Sequence, residues 1–564
     1  MKTTENSRTY MKNNHWLSFS MLSIILMTGV ITSFGQTNPK VEKALYLIDV
    51  KQPKKGMALL EETVKENPLD AAVLYSLGYA QLKTGDKAKA LATFEQGIKL
   101  NEKEALNYVG KAHVLLLDKK PADAKLLFDQ ALKMTKSKNV DVLNAVADAF
   151  LSDSKYLVDA ISLLKKAKEV GPNVTTYILL GDAHLEEHQA GLAVTSYEDG
   201  ASIKKTDPKP HFKVGVVYQH NRNFSAVEEA FNKTIAIDPN YAPAYIEFAE
   251  MYYLKKEYTK AVQNYEKYLA LIETVDDKAK ENLPFYLYMA KDFTKANAAF
   301  EPLLAKPDVS SRTLKYGAFS FSEAGELEKS RVIMEKFMQV AKPEDLDAED
   351  YGRYGKLLSK LKPDASLPKA EQDKKKRELD SLSLNAYTKS LALNPDQRET
   401  LQTTAELQLR MNRYPEAIQS FKKLLEIKHL PSTNLFSLGR SYYYSQQFQK
   451  ADSTFMKFQE LQPALSIGYV WEAQSKEGLD PEQKLGLARP AYEKVIEKAS
   501  VDPVKNKADL IKAYSYLGPY YYNIKHDLAL AKSIFQQWLA LTPDNIQVKA
   551  ALDDIKKVES APKQ

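Results

Sequence analysis

A sparse pattern of residues recurs along this chain at a spacing of about 34 residues, and few folds accommodate such a repeat. Its large apolar member falls at Leu60, Phe94, Phe128, Leu164, Tyr197, Phe231, Tyr265, Phe300 and Met334. The series resumes at Tyr387, Phe421, Phe455, Tyr492 and Phe535. One helical turn before many of these stands a small residue: Ala90, Ala124, Ala160, Ala193, Ala261, Ala296, Ala417 or Ala451. A proline often closes the unit, at Pro68, Pro172, Pro239, Pro395, Pro463 and Pro543. Upstream, several units carry a Leu-Gly pair: Leu77-Gly78, Leu180-Gly181, Leu438-Gly439 and Leu517-Gly518.

Each unit reads as two helices joined by a short turn such as Gly85-Asp86. The apolar and small residues of the second helix recur at helical spacing, and proline cannot continue that helix. Glycine inside a helix costs about 1 kcal/mol relative to alanine, so it belongs where two helices cross closely. The Phe or Tyr then fills the space between one unit and the next. The expected fold class is all-α: an α-solenoid of helical hairpins, each burying its neighbour's apolar side. At 564 residues the chain is too long for one ordinary core, which suits an elongated array.

Apolar residues make up 44% and charged residues 27%, the balance of a folded chain rather than a disordered one. The formal charge is +6, and the segment up to Gly35 holds Lys2, Arg8 and Lys12 against Glu5. The remaining excess is spread over a large surface, with acids and bases interspersed, so no nucleic-acid partner is expected. There is no cysteine, which excludes disulfides, thiolate metal sites and cysteine nucleophiles. Lys12 precedes the apolar run "WLSFSMLSIILMTGVITSF" at 16–34, followed by small residues and "GQTNPK". This is a secretory signal pattern with cleavage expected between Gly35 and Gln36, the alternative being an uncleaved anchor. After cleavage no run approaches spanning length.

The set of Leu-Gly, Ala, large apolar and closing Pro, in register over roughly fourteen units, resembles the tetratricopeptide repeat family. The resemblance covers most of the chain after residue 36, and it implies a right-handed superhelix whose first helices line a concave groove. Carried onto this sequence, the inward positions are Tyr75 and Tyr79; Phe212 and Lys213; Glu247, Glu250 and Tyr253; Phe436, Arg440, Tyr443 and Tyr444; and Tyr516 and Tyr522. Some members clamp a partner's terminal carboxylate with Lys and Asn. The matching slots here hold Ser76, Leu179, Glu247 and Ser437, so that clamp is absent. The resulting organisation is a signal peptide at 1–35 and an N-terminal array at 36–361. An inserted linker and lengthened helix follow at 362–382, then a C-terminal array at 383–543. A capping helix and tail occupy 544–564.

Chemistry is nearly silent. "HLEEH" at 184–188 matches the H-x-x-E-H pattern of inverted zinc proteases, with His184 and His188 as ligands and Glu187 as base. His184, however, occupies a slot that holds Tyr218, Tyr252 and Tyr442 elsewhere, and His188 falls where that helix should end. The basic run Lys374–Arg377 is balanced by Glu371, Asp373, Glu378 and Asp380, as on a solvated helix face. No enzyme, cofactor or metal is expected. The leading expectation is a scaffold of the bacterial cell envelope, exported to the periplasm, that binds a protein or peptide within an envelope complex. Two other readings are a glycan- or peptidoglycan-binding module using groove tyrosines and, more weakly, a zinc hydrolase at His184 and His188.

Overall fold

The computed structural model describes residues 38–427 and 431–560, so the apolar run at 16–34 and its cleavage site lie outside the described residues. Among the described residues there are 29 α-helices and no strand. They pair in chain order as antiparallel hairpins, leaving the last helix, Ile546–Ser560, over. Helix starts follow local chemistry. Asp70 accepts from the Ala72 and Val73 amides, Asn173 forms a capping box with Thr176, and Pro53 and Pro121 sit in first turns. The turns inside hairpins place one residue in the left-handed region: Gly85 and Gly325 in two of them, but Lys119, Arg222, Lys256 and Asn412 in others.

The chain divides into two compact units, one ending at Leu303 and one starting at Leu304. The sequence placed its division at 362–382 instead. That segment lies within the second unit. There Pro368 stands at the N-cap of a 25-residue helix, Lys369–Leu393.

The recurring positions form the core of both units. Every alanine of the series, from Ala90 to Ala451, is 0% exposed, and the large apolar residues from Leu60 to Phe535 are all buried. Phe94 shows the reason. A Cβ built on Gly78, in its own hairpin, would sit 2.5 Å from the Phe94 ring, and one on Gly110, in the next hairpin, 2.3 Å from it. The ring is a knob held between two glycine backbones. Phe231 against Gly215, Phe455 against Gly439 and Phe535 against Gly518 repeat the contact on at least one side.

In the first unit the chain curls until its first hairpin meets the segment around 238–276. Asp49, at the end of helix Pro39–Asp49, accepts from Lys209 Nζ at 2.9 Å and from the Tyr241 hydroxyl at 3.3 Å. Tyr46 donates to Asp238 at 2.6 Å, and Gln52 to the Leu271 carbonyl at 3.0 Å. Glu273 accepts the Lys54 amide at 2.6 Å, capping helix Pro53–Glu66 from across the unit.

The second unit keeps the hairpin logic around its long helix. Tyr387 packs on Gly355, while Ser383 donates to the Gly355 carbonyl at 2.8 Å and Ser390 to the Ala348 carbonyl at 2.6 Å. Within the basic run, Lys376 pairs with Asp380 at 3.0 Å, whereas Lys374, Lys375 and Arg377 are exposed. Val548 and Ile555 of the last helix are buried against the final hairpin.

Candidate partner-binding surface

The inward residues read from sequence meet different fates in the two units. In the first unit they are consumed by the protein itself. Tyr75 is 2% exposed and packs 5.8 Å from the Phe94 ring, while Tyr79, also buried, donates to Asp148 at 3.1 Å. Phe212 is buried between Phe231 and Tyr241, and Lys213 pairs with Asp182 at 2.9 Å. Gln219 donates to Glu247 at 2.8 Å, Tyr286 donates to Glu250 at 3.4 Å, and the Tyr253 ring lies against Phe285 and Tyr286. Most of these contacts come from the residue's own hairpin or from hairpins close to it in the chain, and the curl adds the Asp49 charge near Tyr79 and the Lys51 charge near Glu247. Burial, reinforced by the neighbouring Glu250 charge, pushes the Glu247 carboxyl up to about 7, against the Gln219 hydrogen bond and the Lys51 charge.

Where the first unit closes, a cavity of about 440 Å³ remains, lined among others by Asp49, Lys51, Tyr79, Lys83, Tyr268 and Asp276. Most of its ionic groups are already engaged: Asp49 with Lys209, Lys83 with Asp148 at 3.5 Å, and Asp276 in capping helix Asp277–Met289, while Lys51 is exposed at its edge.

The second unit presents a different surface. Phe436, Arg440, Tyr443 and Tyr444 follow one another along one side of helix Ser432–Tyr444, as their spacing requires. Trp471, from the next hairpin, reaches into the same cluster, 5.2 Å from the Tyr443 ring and 5.8 Å from that of Tyr444. Tyr414, from the preceding hairpin, stacks on Tyr444 at 5.3 Å. Tyr444 remains 41% exposed, and Phe436, Arg440 and Tyr443 are half-buried. Three successive hairpins thus contribute to one patch of aromatic surface. Neither Tyr414 nor Trp471 was identified from the sequence. Trp471 stands about one repeat after Phe436, so extending the register by one more unit would have found it. Tyr414 opens a second helix, where no inward residue is expected.

Further along, Tyr516 is 4% exposed, 4.8 Å from the Tyr492 ring and stacked on Tyr520, and Tyr522 is half-buried against the same core. These two belong to the packing of the last hairpins. Helix Lys507–Pro519 runs directly into a π-helical segment, Tyr520–Ile524, whose first two tyrosines are buried.

The His184–His188 pair does not form a ligand set. Their helix ends at Glu186, and His188 lies beyond it with φ +60°, so the two rings do not share a helix face. His184 Nδ1 instead faces the Glu187 carboxylate at 3.4 Å.

The fold and these surfaces define an all-α solenoid of tetratricopeptide-type hairpins, a class of helical repeat scaffold typical of protein–protein interaction and generally without catalysis. Comparison with known proteins supports the tetratricopeptide repeat family: its family model matches residues 41–105. Mouse tetratricopeptide repeat protein 21A is 24% identical over 261 residues, covering 42% of this chain and 19% of that protein. The human protein is 22% identical over 287 residues, covering 46% and 21% respectively. The chain therefore spans about a fifth of the length of the curated relatives it matches. Among solved structures, the C-terminal part of a TPR repeat-containing protein from Cytophaga hutchinsonii is 27% identical. It covers 48% of this chain and 98% of its own, with a TM-score of 0.38. A tetratricopeptide repeat protein from Parabacteroides merdae is 15% identical, covering 44% and 98%, with a TM-score of 0.31. Among the described residues, no helix is long and apolar enough to cross a membrane.

Proposed function

We propose that this protein is a non-enzymatic scaffold that binds a protein or peptide partner through the aromatic surface of its second unit. One observation carries the reading. In the first unit Tyr75, Tyr79, Phe212 and Lys213 are buried and the half-buried Glu247, Glu250 and Tyr253 are engaged by Gln219, Tyr286 and Phe285, whereas in the second unit Tyr444 is 41% exposed at the edge of a patch that Phe436, Arg440, Tyr443, Tyr414 and Trp471 share from three hairpins. Tyr and Trp give large contact areas at low entropic cost on ordering, which is why they dominate the energetics of interfaces. The N-terminal apolar run and the lack of cysteine favour an exported protein of the bacterial cell envelope, within an envelope complex.

Crosslinking in cells, followed by purification of the intact protein, tests the reading. A partner recovered with wild type and lost with Tyr444→Ala and Trp471→Ala, at unchanged helical content, supports it. Recovery undiminished by both substitutions refutes it. Cell fractionation with N-terminal sequencing of the mature chain tests the compartment: a cytoplasmic chain retaining residues 1–35 overturns that part.

A further inference from the structure

Arg440 is an unusual residue in this aromatic patch. Its guanidinium carbon lies 5.6 Å from the Trp471 ring centroid and 5.8 Å from that of Tyr444. Its Nε is buried and meets no hydrogen-bond acceptor, and among the described residues no carboxylate pairs with it. A second cation, Lys512 Nζ, lies 6.0 Å from the Trp471 centroid with no carboxylate at ion-pair distance among the described residues, although its charge is felt by Glu477. The nearby acids are occupied. Glu472 takes Lys476 and Gln459, Asp452 faces Lys476, and Glu477 accepts the Tyr492 hydroxyl. Cation–π contacts hold a guanidinium in place but leave its forked donors unused. A half-buried cation with an unsatisfied donor is expensive unless an anion meets it.

Ring geometry narrows the anion further. One face of Trp471 is stacked on Phe455 at 5.8 Å, and Tyr414 covers a face of Tyr444. With cations placed over Trp471 as well, this surface offers little open ring face of the kind on which a sugar stacks. It offers ring edges, an apolar floor and a fixed guanidinium.

We propose that the occupant of this surface is an acidic peptide segment of a partner protein. An Asp or Glu side chain is bound by Arg440, with Lys512 adding to the attraction, and an adjacent apolar side chain lies against Tyr443, Tyr444 and Trp471. This rests on the reading that the second unit binds a peptide, and it adds the sign of the charge and the anchoring residue. A bidentate guanidinium–carboxylate contact makes Arg440 the source of specificity, while the aromatic floor supplies sequence-tolerant area.

The full-length protein is applied to an array of 12-residue peptides of acidic, neutral and basic composition, alongside immobilised oligogalacturonate as an acidic glycan. The best peptide is then titrated by fluorescence anisotropy against wild type, Arg440→Gln, Arg440→Lys and Trp471→Ala. The expected result is a preference for acidic peptides carrying an apolar neighbour. Arg440→Gln should weaken binding about 10- to 100-fold, the range of a hydrogen bond to a charged group. Amidation of the peptide's C-terminus should leave binding unchanged, and Asp→Asn or Glu→Gln in the peptide should match the loss from Arg440→Gln. Arg440→Lys should be intermediate, since it keeps the charge without the fork. Binding of neutral or basic peptides that Trp471→Ala abolishes and Arg440→Gln leaves intact overturns the charge assignment while sparing the peptide-binding reading. Binding of oligogalacturonate with no peptide retained overturns both, as does peptide binding insensitive to Trp471→Ala and Arg440→Gln alike. Binding abolished by C-terminal amidation but kept on Asp→Asn or Glu→Gln overturns the side-chain assignment.

Discussion

The Phe94 knob allows a test in which one kind of substitution should act with opposite signs at two places. Gly110→Ala adds a methyl group 2.3 Å from one carbon of the Phe94 ring and 2.5 Å from two others. Gly78 packs on the same ring carbons, where a Cβ would likewise lie 2.5 Å away, and the ring is fully buried, so it has little room to retreat. Alanine gains about 1 kcal/mol of helix propensity over glycine. Overpacking of a filled core costs about 1–3 kcal/mol, and so close an approach to a fully buried ring belongs at or above the upper end. The net expectation for Gly110→Ala is a loss of about 2 kcal/mol. Gly191 lies on the exposed face of helix Ala190–Ile203 with nothing within 4 Å of its would-be Cβ. There Gly191→Ala should stabilise by roughly 0.5 kcal/mol. Phe94→Ala alone should cost about 3–5 kcal/mol. In that background the clash is gone, so adding Gly110→Ala should become neutral or favourable, a coupling of roughly 2–3 kcal/mol in a double-mutant cycle. Urea unfolding followed by circular dichroism measures all four variants. Amide exchange localises the change to the third hairpin, because repeat arrays need not unfold as one transition. Gly110→Ala as stable as wild type, or equally costly with and without Phe94, would refute the knob argument.

Three other outcomes are expected. Asp49→Ala removes the carboxylate that meets the buried Lys209 ammonium and the Tyr241 hydroxyl and should cost about 1–3 kcal/mol, with amide protection lost across 39–66; an effect below about 0.5 kcal/mol would mean the closure is not held by this pair. Because the Glu247 carboxyl sits near 7 in the folded protein against 4.5 ordinarily, the folded state holds that proton more tightly than the unfolded chain. Its contribution to stability is therefore present at low pH and lost as pH rises from about 4.5 to about 7. Glu247→Gln should flatten that stretch of the stability profile by on the order of 1–3 kcal/mol, and an unchanged slope would count against the burial argument. Lys256 holds φ +62° in the turn before helix Tyr258–Leu271, and Lys256→Gly should raise stability by up to about 1 kcal/mol, read as a shift in the unfolding midpoint; destabilisation would show that the side chain does more than fill a turn.

The hairpins, their knobs and their stops were legible because each is a nearest-neighbour fact. Phe94 needs only Gly78 and Gly110, both within about one repeat of it, so the same spacing writes the same contact again and again. The aromatic stripe of helix Ser432–Tyr444 was legible for the same reason, being set by helical spacing alone. Tyr414 escaped notice because membership of a patch depends on where neighbouring helices place their side chains, which the register of one helix does not specify, whereas Trp471 lay one repeat beyond Phe436. The use of Tyr79 and Lys213 was likewise decided by other hairpins, through Asp148 and Asp182. Curvature is a sum of small rotations between hairpins, and only when summed does it bring Asp49 onto Lys209 and Tyr241. By itself the sequence determined what each repeat is and how it grips the next. The tertiary structure decided which surface stays open, because long-range closure depends on accumulated geometry that no single repeat encodes.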